Sequence, residues 1–149
     1  VQVNKREEVN FDLLIEVISD ASKAIVDAIT NETLRSKVSI SIGAEATNTI
    51  LVTVQLQDWS SSSLAEQHLI NCWLSDTANG GECVTAPDGA TSFTTGVTLE
   101  TITAKKRFLI VLNASGVGIL SIVESGVDTW YLVVELDGKI YNSAAITFA

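Results

Sequence analysis

The chain has 149 residues, 46% of them hydrophobic, a formal net charge of −9, two cysteines and no methionine. That is enough chain and enough apolar content for one packed domain plus an arm. The charge disfavours nucleic acid, which is held by Lys and Arg; two cysteines rule out a disulfide-rich scaffold; and no apolar run reaches the roughly 20 residues of a membrane helix.

The chain starts Val1-Gln2-Val3, so the reading expects a processed product, a fragment or a chain lacking its first residues. Residues 1–9 are polar and charged and read as a lead-in. Asn10 is a suitable N-cap, and Asp12 sits in the first turn, where the helix dipole favours an anion. From Phe11 to about Thr30, the polar residues Asp12, Glu16, Asp20, Lys23 and Asp27 recur at steps of three and four. This is one narrow polar stripe on a helix. Phe11, Leu14, Ile18, Ala21, Ile25 and Ala28 follow a three-four alternation, and Leu13, Ile15, Val17, Val26 and Ile29 widen the apolar face. Such a face does not stay in water. It packs on its own domain, on a neighbouring chain, or on both. Residues 1–37 are therefore expected to form a helical arm, net charge −2, and residues 38–149 a β domain, net charge −7.

From Val38 the period becomes two. Val38, Ile40 and Ile42 alternate with serines, and Ile50, Val52, Val54 and Leu56 form the clearest strand. Asp58-Trp59 and the serines 60–63 connect to a strand over Leu69–Leu74, with Ile70, Cys72 and Leu74 on one face and Trp73 on the other. The eighteen residues 75–92 hold Asn79-Gly80-Gly81 and Pro87-Asp88-Gly89 and read as a long loop with a short strand near Cys83-Val84. Strands follow at 97–103, 107–112 and 119–123, with a tight turn at Asn113-Ala114-Ser115-Gly116. Trp130, Leu132, Val134 and Leu136 alternate with Tyr131, Val133 and Glu135. Asp137-Gly138 then favours a two-residue hairpin turn with positive φ, and residues 139–142 return as the partner strand. About eight short strands joined by turns predict an antiparallel sandwich.

The chemistry-bearing residues do not form a constellation. His68, the single histidine, precedes a strand and reads as a surface residue; a catalytic base needs a nucleophile and an orienting partner. The serine run lacks a Gly-x-Ser-x-Gly elbow, and no phosphate loop or zinc spacing is present. Asp76, Glu82 and Asp88 lack the alternation of a calcium loop. No enzyme activity, cofactor or metal is expected. Cys72 and Cys83 read as two reduced thiols, although a bridge closing the ten residues between them is within reach of the spacing. Lys105-Lys106-Arg107 reads as a solvated start of a strand, or as a contact for an acidic neighbour. Trp59 is either a cap on one end of the sandwich or an exposed contact for a partner.

Three stretches carry a family resemblance: Ile50-Leu-Val-Thr-Val-Gln-Leu-Gln-Asp58, Asn113-Ala-Ser-Gly-Val-Gly-Ile-Leu-Ser-Ile122 and Ser125-Gly-Val-Asp-Thr-Trp-Tyr-Leu-Val133. They are followed by Asp137-Gly138 and Ile146-Thr-Phe148. Together they resemble the bacterial immunoglobulin-like domains of the invasin and intimin type over roughly residues 38–148. The chain departs from that pattern at the serines 60–63 and in the enlarged loop 75–92. The resemblance implies an immunoglobulin-like sandwich of the kind also found in phage head accessory and tail proteins. Adhesins carry tandem copies, whereas this chain holds no internal repeat. One copy behind a helical arm therefore looks like a structural protein of a phage virion, a capsid decoration or cement protein. The alternative is a tail or adhesin-type module for host recognition. The expected partners are other virion subunits, capsid protein or further copies of the chain, with no nucleic acid and no membrane. The residues expected to meet them are Phe11, Leu14, Ile18 and Ile25 of the arm, and Trp59.

Overall fold

A computed structural model describes residues 16–25 and 36–149. The chain divides into two compact units, Val1–Arg35 and Ser36–Ala149. In the first, residues 16–25 form a helix, α1. The ends of the expected helix, with Phe11 and Leu14, lie outside the described residues.

The second unit is a mainly antiparallel β-sandwich of ten strands. They are β1 (Lys37–Ile42), β2 (Thr49–Gln57), β3 (Leu69–Ser75), β4 (Ser92–Thr95), β5 (Val97–Thr103), β6 (Arg107–Val111), β7 (Val117–Val123), β8 (Thr129–Leu136), β9 (Lys139–Asn142) and β10 (Ile146–Thr147). One sheet has the order β1-β2-β7-β4. The other runs β10-β8-β3-β6-β5, with β9 also pairing β8. Immunoglobulin sandwiches place strands A-B-E-D in one sheet and C-F-G in the other. Here β1-β2-β7-β4 takes the first order, and β3-β8 with β9 takes the second. The β5–β6 hairpin adds two strands beside β3. The fold is thus an immunoglobulin-like β-sandwich with a helix in the N-terminal arm.

The period of two explains the core. Ile50, Val52, Val54 and Leu56 of β2, Leu120 and Ile122 of β7, and Ile70, Cys72 and Leu74 of β3 are all buried. So are Trp130, Leu132, Val134 and Leu136 of β8. Edge-to-face ring pairs, Trp130–Phe148 at 6.0 Å and Phe93–Phe108 at 5.7 Å, fill the wider gaps. Gly118 sits on the inner face of β7 where a Cβ would stand 2.9 Å from Leu112 Cδ2, so a larger residue would make the Leu112 side chain shift.

The long edge of β8 is shared by β9 and β10. Between them Ser143 bridges the break. Its N–H donates to the Leu132 carbonyl at 2.9 Å, and its Oγ accepts the Leu132 N–H at 2.8 Å. A side-chain oxygen thus replaces the backbone acceptor that the interrupted strand cannot supply. The β8–β9 turn has Asp137 at φ 49° and Gly138 at φ 79°, the positive values expected for this pair.

The structure differs from the sequence reading at three elements: no strand forms at Cys83-Val84, and strands form at Ser92–Thr95 and Ile146–Thr147. From β4 the chain changes sheets through Gly96 alone, at φ +93°; a Cβ there would stand 2.9 Å from the Val111 carbonyl oxygen.

Candidate interaction surface

Four regions decide what this chain offers to a partner: α1, the turn that carries Trp59, the long loop 76–91, and the free edge of the six-stranded sheet.

All ten described residues of α1 are exposed. Ile18 and Ile25 lie seven positions apart, hence on one face of the helix, and are 56% and 60% exposed; Val17 beside them is 56% exposed. Ile18 and Ile25 are therefore accessible apolar residues.

Trp59 is 57% exposed, so it does not cap the sandwich. The turn beneath it is tightly made. Asp58 Oδ1 accepts the N–H groups of Ser60 and Ser62, both at 2.9 Å, and the Ser60 hydroxyl at 2.7 Å. The Ser60 hydroxyl, followed by the Ser62 N–H, holds the Asp58 carboxyl below its ordinary value. Lys37 Nζ reaches from β1 to the Trp59 carbonyl at 3.3 Å and to Ser61 Oγ at 2.7 Å. Ser60–Ser63 are thus the polar turn the sequence suggested, and the turn holds the backbone under the indole.

The long loop is bound down along its length. Lys106 Nζ donates to the carbonyls of Cys83 and Val84 at 3.0 and 3.2 Å, and pairs with Glu82 at 3.6 Å. Lys105 Nζ donates to the carbonyls of Pro87 and Asp88 at 3.2 and 2.6 Å. Arg107 lies over the Trp73 ring at 5.1 Å, and its Nε donates to Asn71 Oδ1. The basic run is therefore not a solvated strand start, and Lys106 does meet an acidic neighbour, Glu82. All three cations are engaged inside the β unit. Two indole N–H groups add further ties, Trp73 to the Gly80 carbonyl at 3.0 Å and Trp130 to the Thr85 carbonyl at 3.2 Å.

The acids near the loop serve the same end. Asp76 Oδ2 accepts the Val84 N–H, and Glu82 accepts the Thr103 hydroxyl. Buried Glu124 accepts the N–H groups of Gly126 at 2.8 Å and Asp88 at 2.9 Å. The Asp88 carboxylate takes the Ser125 hydroxyl and N–H, which lower its pKa from the ordinary 3.8. Among the described residues no three His, Cys, Asp or Glu side chains converge as a metal site. His68 bonds Asp137 across 3.2 Å, with Glu66 at 3.9 Å, and ties the β2–β3 loop to the β8–β9 turn. Cys72 and Cys83 are free and buried. Burial pushes the Cys72 thiol far up, and burial, aided by Asp76, pushes Cys83 up to about 11. Neither thiol has the lowered pKa that marks a nucleophile.

The sequence reading did not single out the free edge of the larger sheet. β5 pairs only with β6, and its first six residues are all exposed, among them Val97 at 56%, Leu99 at 57% and Ile102 at 47%. The register sets Leu69, Val111 and Val97 side by side across β3, β6 and β5 on the outer face, with Leu69 half exposed. The pairing slips at Thr98–Glu100 and again at Thr101–Thr103, and such bulges blunt an edge against further strand pairing.

No protein-family model matches the chain, and no curated protein matches it. Among solved structures, it is similar at TM-score 0.41 and 12% identity to a conjugative transposon lipoprotein from Bacteroides eggerthii, covering 76% of this chain and 93% of that one. The GAE domain of GGA2p from Saccharomyces cerevisiae aligns at TM-score 0.29 and 12% identity, over 78% and 90% of the two chains. A GH20 exo-β-N-acetylglucosaminidase from Vibrio harveyi aligns at TM-score 0.30 and 15% identity, over 72% of this chain but 17% of that one. Likenesses this distant carry no argument about activity or partners.

Proposed function

We propose that this chain is a non-enzymatic structural protein of a phage virion, a capsid decoration or cement protein that stabilises the shell by binding across its subunits. The observation that carries the reading is the apolar face of α1. Ile18, Ile25 and Val17 stand more than half exposed in a unit distinct from the sandwich. Fully burying such a side chain contributes about 1.5–3 kcal/mol, so a partner surface gains much by covering them. On this reading the arm, including Phe11 and Leu14, meets capsid protein or another copy of the chain, and the protein is a homo-oligomer that works at the particle. It takes no cofactor and binds neither nucleic acid nor membrane.

A second reading, a tail or adhesin-type module for host recognition, is favoured by Trp59. A half-exposed indole on a turn pinned by Asp58 and Lys37 is a preorganised contact, and tryptophan is enriched among residues that dominate binding energy. The double variant Ile18→Asp, Ile25→Asp separates the two. A cement loses capsid binding or self-association while the β unit melts as before, and Trp59→Ala changes little. A recognition module keeps its assembly state with the arm changed and loses cell-surface binding on Trp59→Ala. If the arm variant retains both its assembly state and its capsid binding, the cement reading fails.

A further inference from the structure

We draw no further inference here: the strongest candidate, the uncovered apolar ledge of edge strand β5 (Val97, Leu99, Ile102) with the Leu69–Val111 row beside it on the outer face of the six-stranded sheet, is an unpartnered sheet face, and nothing in the structure shows what covers it.

Discussion

Lys106→Ala tests whether the long loop is a fixed part of the sandwich. The ammonium has three acceptors: the Cys83 and Val84 carbonyls and the Glu82 carboxylate. A hydrogen bond to a charged group contributes about 1.5–3 kcal/mol, but only where water cannot replace it. Val84 is 85% exposed, so its carbonyl is re-solvated cheaply; Cys83 is 2% exposed, so its carbonyl is not. Glu82 keeps the Thr103 hydroxyl at 2.9 Å. The net loss should therefore be about 2 kcal/mol, dominated by the Cys83 carbonyl. The Cys83 N–H donates to the Leu74 carbonyl at 2.7 Å, which makes it the reporter. If the loop opens locally, hydrogen exchange at this amide should quicken roughly thirtyfold, the equivalent of about 2 kcal/mol. If the loss is felt globally, the melting temperature should fall by roughly 6–12 °C. Lys139→Ala is the control. That ammonium sits 5.3 Å from the Tyr141 ring centre, an exposed contact contributing about 0.5 kcal/mol. Unchanged Cys83 exchange together with an unchanged melting temperature would refute the clamp.

Gly138→Val should destabilise the β unit by roughly 1–3 kcal/mol, because a β-branched residue resists the φ of +79° that this turn requires; thermal melts measure it. Cys72 should resist thiol reagents under native conditions, being fully buried with its pKa pushed up, and rapid labelling would place it on the wrong face of β3. The Asp88 carboxyl should titrate below 3.8 by NMR, and Ser125→Ala should move it back towards that value. Because its folded pKa is depressed, Asp88 stabilises the fold above the unfolded value of about 3.9, and that contribution disappears as pH falls through the lower folded value.

Much of the sandwich was legible because alternation is a direct print of burial. β2, β3 and β8 each bury the residues whose period of two the sequence displays, and Asp137-Gly138 marks its own turn. β4 was not legible: four residues, Ser92–Thr95, with Phe93 their single large apolar side chain, carry too little pattern. β5 was legible as a strand but not as an uncovered edge, since exposure depends on where the other sheet ends. The basic run 105–107 was misread for a related reason. Lys105 and Lys106 bind backbone carbonyls, and a carbonyl has no signature in the sequence. Of the candidate surface, the sequence reading named residues of the arm and Trp59, and Trp59 is exposed. Ile18 and Ile25 are exposed as that reading needs, whereas Phe11 and Leu14 lie outside the described residues.

The charge pattern bears on how copies of such a chain would meet. Residues 36–149 hold five basic side chains and eleven acidic ones. All five basic groups are engaged inside that unit. Lys37 holds the Trp59 turn, Lys105 and Lys106 hold the long loop, Arg107 covers Trp73, and Lys139 faces Tyr141. The unit keeps a net charge of −6, and two β units brought together repel each other. The arm is acidic too: residues 1–35 hold seven acidic and four basic side chains, a net charge of −3. On the proposed reading, association through α1 gains apolar burial against the mutual repulsion of two acidic chains. Self-association should then strengthen as salt rises, because salt screens the repulsion between sandwiches and leaves the apolar contact intact. Sedimentation of the intact chain across a salt series measures this. Weakening of association with salt would show that charge pairing, not the apolar face of α1, holds the copies together.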